Sequence, residues 1–313
     1  MIQLSTIERW SRVTPLGVRF VDDQGGRVVA DGLTGIAWPT LEPSRAVALR
    51  RNAGNAFYIL DAPGLRDLEL GEGDDDYWNQ LPRRAAFTVE VDDRLGRFLP
   101  FRFTADLPAR GLLRLGCGSP PTPVALPAGA EADGVPLFTA PARPATPGTV
   151  VVRAELWDAA NHVPAAWAIL EARTPGERLR GEPPTRALAD HRGRVALHFP
   201  IPDTSDLDGG SFESPSGTSG APLGARTWLV ELAAAYGGLL PAPSTRKRPS
   251  PPIPDLCAAL AQPPAKLWDR LDGSPLALTH ATLRFGQETF IKSAAPGAEP
   301  PSVLLLTPSQ SPP

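Results

Sequence analysis

The chain has 313 residues, a formal net charge of -3 and 42% hydrophobic residues, a length that accommodates two or three domains with a sizeable core. The near-neutral balance, carried by Arg with almost no Lys, excludes the electrostatic footprint of a nucleic-acid or anionic-membrane binder. Proline is the outlier at 38 residues, more than twice the roughly 5% of average chains, and it excludes long helices while favouring edge strands, turns and stiff connectors.

From the N-terminus, Met1 to Trp10 has neither a basic start nor a continuous apolar core, so no signal peptide is read there. No segment reaches the roughly 20 apolar residues of a membrane span. A cytoplasmic protein follows as the expectation. A first β module is predicted over residues 1–117, with strands at Gly17–Val21, Arg27–Ala30, Ala46–Arg50, Ala56–Leu60, Ala86–Val91 and Phe98–Leu107. In the last of these Phe101, Phe103, Ala105 and Leu107 share one face and Arg102, Thr104 and Asp106 the other, which is the period-2 pattern of a sheet with one wet side. Between strands lies an acidic and aromatic loop, Asp74, Asp75, Asp76, Tyr77 and Trp78.

Residues 118–148 are proline-rich with few apolar anchors and read as an extended connector. A second sandwich is predicted over 149–238, with strands at Val150–Trp157, Ala165–Ala172, Thr185–Ala189, Arg194–Phe199 and Thr227–Leu232, interrupted by a Ser/Gly-rich excursion from Gly209 to Gly224. A second proline-rich linker, 239–254, carries Arg246-Lys247-Arg248, which reads as a solvated charge run. In the tail, 255–313, a helix over Leu256–Leu271 capped by Asp255 is followed by an apparent hairpin, Ala281–Phe285 with Glu288–Lys292. A strand at Val303–Leu306 precedes a proline-ended terminus.

One pattern recurs three times: Val18–Val29, Phe87–Leu99 and Leu188–Phe199 each run from an alternating apolar segment into Asp, a short polar stretch, Gly-Arg and a second apolar segment. Each reads as a β-hairpin, Asp and Gly supplying the turn and its positive φ. The fold class is therefore mainly β: two small antiparallel, Ig-like or prealbumin-like sandwich modules, proline-rich linkers and a small α+β C-terminal segment.

Nothing in the residues marks a catalytic centre. His162, His191, His198 and His280 are scattered, no Cys/His cluster has metal-ligand spacing, and Gly217-Thr-Ser-Gly lacks a nucleophile elbow. Three consecutive aspartates cannot all face one ion, so Asp74–Asp76 reads as an exposed contact rather than a calcium loop. No catalytic, cofactor or metal residue is assigned. Cys117 and Cys257 read as free, buried or half-buried thiols, since sequence cannot bring them together. A glycan-binding sandwich using Trp38, Trp78, Trp157 or Trp167 stands as the alternative to a protein-binding role, with core packing the stronger expectation for Trp157 and Trp167.

The stretch from Val150, with its Leu156-Trp157-Asp158 turn and its later Asp190-His-Arg-Gly-Arg-Val, resembles the carboxypeptidase regulatory-like family over Thr149–Leu232. That resemblance implies a prealbumin-like sandwich used as scaffolding, without catalytic residues. The order of Arg12-Val-Thr-Pro-Leu-Gly-Val-Arg-Phe, Asp61-Ala-Pro-Gly-Leu-Arg-Asp, Phe87–Phe101, Leu137–Pro144 and the sandwich is similar to accessory proteins of phage-tail-like contractile injection systems. It implies a baseplate-type structural subunit, in several copies, whose partners are baseplate, sheath or tube proteins. The surfaces proposed for those contacts are Asp74–Trp78, the stretch holding Phe98, Phe101 and Phe103, and the C-terminal strand Val303, Leu304, Leu305 and Leu306.

Overall fold

The computed structural model describes residues 12–70, 74–79, 84–118, 120, 122–126, 133–201, 226–239, 251–271, 275–294 and 302–308. The Ser/Gly-rich excursion, Arg246–Arg248, Gly217-Thr-Ser-Gly and the proline-ended terminus lie outside the described residues. The protein is mainly β, its described helices being single turns or little more. No helix among the described residues is long and apolar enough to cross a membrane.

The first module is built on a four-stranded antiparallel sheet, in the order Val47–Ala48, Leu33–Pro39, Ala85–Asp93, Phe101–Leu107. The alternation read from the sequence is obeyed in the last strand. Phe101, Phe103, Ala105 and Leu107 are buried, while Thr104 and Asp106 are exposed and Arg102 is half-buried. The sequence reading omits the strand Leu33–Pro39, which nonetheless pairs residue by residue with Phe87–Asp93. Its Leu-Thr-Gly-Ile-Ala-Trp-Pro does not alternate and ends in proline, so local pattern hides a strand that cross-strand pairing selects. A short sheet of Val28–Val29, Phe20–Asp22 and Val135–Leu137 closes the core.

That last strand corrects the connector reading of 118–148. Val135–Leu137 pairs in parallel with Phe20–Asp22, and Val135, Leu137 and Phe138 are at most 1% exposed. Three large apolar side chains within four residues are anchor enough to pull a proline-rich stretch onto a sheet edge. The 239–254 linker is likewise packed at its end, where Ile253 is fully buried.

In the second module the long strand Thr149–Asp158 pairs antiparallel with Arg194–Pro200 through its first seven residues, then in parallel with Leu304–Pro308 through its last three. Ile169–Arg173 lies between Thr185–Leu188 and Thr227–Ala235. The tail is no separate α+β unit, because Pro264–Arg270 and Leu304–Pro308 are interior strands of this sheet. The helix read over Leu256–Leu271 stops at Leu260. Asp255 does cap it, accepting from the Ala258 N–H at 3.0 Å, but Pro263 and Pro264 remove donors and turn the chain into a strand. The apparent hairpin in the tail is also corrected, since His280–Arg284 pairs with Thr227–Glu231 whereas Thr289–Phe290 pairs with Val152–Arg153.

Two of the three recurrent Asp/Gly-Arg segments share a local clasp, although they do not share a topology. Asp93 accepts from the Leu95 and Arg97 N–H groups and from the Arg97 guanidinium, and Asp190 repeats this with Arg192 and Arg194. The first two segments are hairpins. In the third the arms diverge, Thr185–Leu188 pairing with Ile169–Arg173 and Arg194–Pro200 with the long strand. Its Gly193, at φ 77°, approaches Leu156 so closely that a Cβ would lie 2.3 Å from the carbonyl oxygen, so only glycine fits the corner.

Candidate interaction surface and the seam behind it

Of the three surfaces read from the sequence, the structure leaves one exposed. Phe98, Phe101 and Phe103 are at most 4% exposed and belong to the first core, and Val303–Leu306 are at most 5% exposed at the centre of the second sheet. Neither can receive a partner. Alternation already turned Phe101 and Phe103 to the dry side of their sheet, which leaves them to the core rather than to a partner.

Asp74–Trp78 does lie at the surface. Asp74, Asp75 and Asp76 are exposed, Tyr77 and Trp78 half-buried. Asp74 caps a short helical turn, Asp75–Asn79, by accepting from the Tyr77 N–H at 2.8 Å. The Tyr77 hydroxyl donates to the Leu68 carbonyl, and its ring meets Trp78 edge-on at 5.2 Å. Burial first, then the nearby Glu69 carboxylate, pushes the Tyr77 hydroxyl above its ordinary pKa. Asp75 pairs with Arg110 on the outside. The turn therefore presents carboxylates on a small aromatic base whose orientation is fixed by backbone contacts, a suitable shape for a charged protein contact.

Elsewhere the two modules meet at a polar seam that sequence reasoning does not find, because its members are far apart along the chain. Asp23 of the first module receives Arg186 of the second, and Asp22 receives Arg143 at 2.8 Å. Gln24 accepts from the Thr139 hydroxyl and donates to the Arg186 carbonyl. The guanidinium of Arg143 also lies 4.7 Å from the Phe98 ring centre, and that of Arg186 lies 5.6 Å from Phe138. Burial raises the Asp23 carboxyl above its usual pKa even though Arg186 opposes the shift. Apolar side chains cross the same boundary, Trp167, Ile169 and Leu188 of the second module packing into the first core. Trp167 sits at φ 64° and its carbonyl accepts from Gln262 Nε2 at 2.7 Å, which fixes a strained turn from both sides.

His198 is 1% exposed, and among the described residues its Nε2 has no hydrogen-bond partner. Burial first, then the neighbouring Arg143 and Arg153, lowers its pKa to about 4, so the ring is neutral at ordinary pH. It is a structural imidazole rather than a poised base.

Cys117 and Cys257 form a disulfide across a sequence separation of 140, which corrects the reading of free thiols. The helix Leu256–Leu260 packs beside the short strand Gly116–Cys117 only because the chain folds back over the first module, and no local signal in the sequence announces that return. Among the described residues no group of three or more His, Cys, Asp or Glu is placed to hold a metal ion. An open groove of about 680 Å³ runs along Ala30–Ile36, with Arg51 and Arg94 at its rim. Of the tryptophans considered for glycans, Trp38 and Trp167 are at most 3% exposed, while Trp78 and Trp157 are half-buried on different modules.

No protein-family model matches the chain, and neither a curated protein nor a solved structure matches it.

Proposed function

We propose that the protein is a non-enzymatic structural subunit of a phage-tail-like contractile injection particle, an adaptor at or beside the baseplate that fixes the spacing of neighbouring subunits. The seam carries this reading. The buried Asp23–Arg186 ion pair and shared apolar packing join the two β modules, an arrangement that restrains the hinge a chain of independent modules would have. A part that transmits position needs that rigidity more than a part that captures a small ligand does. The resemblance of Thr149–Leu232 to carboxypeptidase regulatory-like, prealbumin-like sandwiches, and of the module order to accessory proteins of injection particles, supplies the kind of assembly.

In this reading the chain assembles in the cytoplasm, in several copies, and leaves with the particle. Its partners are baseplate, sheath or tube proteins rather than nucleic acid, and Asp74–Trp78 is the contact offered to them. The glycan alternative loses support, because two of its four tryptophans are buried and the remaining two are only half-buried and lie on different modules. Tagging the protein at its native locus and sedimenting the lysate tests the proposal. Co-sedimentation with sheath and tube proteins in rod-shaped particles is the expected result, and recovery only in the light fraction overturns it.

A further inference from the structure

We infer that the Cys117–Cys257 disulfide is a thiol-controlled latch on a strap, residues 251–261, that covers the outer edge of the strand Phe101–Leu107. Among the described residues that strand ends its sheet and has only Ala85–Asp93 as a ladder partner. The strap crosses its free side. Pro254 accepts from the Arg102 N–H at 3.0 Å, and Asp255 bridges to Arg102 in parallel. Ile253, Leu256 and Ala259 are at most 1% exposed, Leu256 and Ala259 within the first module's core.

At its far end the strap is tied to the other module, where Gln262 holds the Trp167 carbonyl and the Tyr236 N–H donates to Pro263. One isolated backbone bridge and three small to medium apolar side chains leave such a segment able to open locally, as sparsely bonded elements do. The disulfide cross-links it directly to the first module, and Cys117 and Cys257 are each only half-buried, within reach of small thiols.

Closing the latch is a two-electron oxidation. One cysteine thiolate attacks glutathione disulfide and expels a glutathione thiolate; the second cysteine then attacks the mixed disulfide and expels the other, so two protein thiols are oxidised and one small disulfide is reduced to two thiols. In a reducing cytoplasm the strap is packed but unlatched, and in oxidising surroundings it is fixed. This inference does not depend on the assembly reading.

Hydrogen exchange read by mass spectrometry on the full chain tests it, comparing protein oxidised with glutathione disulfide against the same protein reduced with a phosphine, the thiol state being counted by alkylation. Reduction should speed exchange about tenfold or more in peptides covering 101–107 and 251–261, while 149–158 and 194–200 stay protected. The double variant C117S/C257S should match the reduced protein. Unchanged exchange after complete reduction, acceleration spread evenly over the chain, or two free thiols after the oxidising treatment would each overturn the inference.

Discussion

Arg186 donates through Nε and Nη2 to the carboxylate of Asp23 at 2.9 to 3.2 Å, joining residues 163 apart along the chain. The fork also holds the Ala125 carbonyl, so one guanidinium ties the second module to two separate segments of the first. With the Asp23 side chain 2% exposed and that of Arg186 18%, this is a buried pair, and the loss of one member leaves the other charged and unsolvated.

Arg186→Ala should therefore cost about 3–5 kcal/mol, as expected for breaking a buried pair rather than deleting a surface one. Replacing both partners by apolar residues, Asp23→Leu with Arg186→Met, should cost less than either single change, because no charge is stranded. Urea unfolding of the three variants checks this. With Asp23→Leu and Arg186→Met as the two single variants, a double-variant loss equal to the sum of the single losses would show that the pair is not coupled.

His198 gives the seam a pH dependence with a definite sign. Its folded pKa, about 4, lies below the ordinary 6.5, so the unfolded chain binds the proton first. Its contribution is fully present above pH 6.5, declines as the pH falls from there towards 4, and is gone below that. The His198→Gln variant should lose this component. Chemical denaturation of wild type and variant at pH 7, 6, 5 and 4 should show a gap that changes steadily across that window, whereas parallel curves would remove His198 as the cause.

How much of this was legible in the sequence follows the range of each interaction. Alternation in Phe101–Leu107 and the cap at Asp255 are set by residues within a few positions and are present as read, whereas the Asp clasps at Asp93 and Asp190 are local but were read only as turns. The strand Leu33–Pro39, the packing of Val135–Leu137 and the Cys117–Cys257 pairing depend on partners far away, and only Val135–Phe138 carries a local trace, its cluster of apolar side chains. For the candidate surface, the acidic turn was readable because three aspartates beside two aromatics cannot be core. Val303–Leu306 was misplaced because an apolar strand at a sheet edge and one at its centre have the same sequence, and Phe98 because its burial rests on a distant segment that bridges to it at Thr139.

Asp74–Trp78 should separate folding from assembly. Asp75→Lys with Asp76→Lys reverses two exposed charges, and Asp74→Asn keeps an oxygen for the Tyr77 N–H, so the helical turn survives. The triple variant should unfold within about 2 °C of wild type, as surface substitutions away from caps and cores do. In the sedimentation assay it should move to the light fraction. Full retention in the heavy fraction would strike this turn from the contact surface.

Truncation after Ser302 should destroy the second module instead of merely impairing assembly. Leu304–Pro308 lies between Thr149–Asp158 and Pro264–Arg270, hydrogen-bonded on both sides, with Val303, Leu304, Leu305 and Leu306 all at most 5% exposed. Four buried aliphatic side chains at about 1.5–3 kcal/mol each amount to roughly 6–12 kcal/mol, close to the roughly 5–15 kcal/mol by which a whole protein is stable. The lost backbone pairing adds to that, because the orphaned groups of two interior strands would face each other across a gap. Soluble yield and the near-ultraviolet circular dichroism of the buried Trp228 and Trp268 should both fall sharply in the truncated chain. A well-folded truncation product would show that the C-terminal strand docks onto a sheet already complete without it.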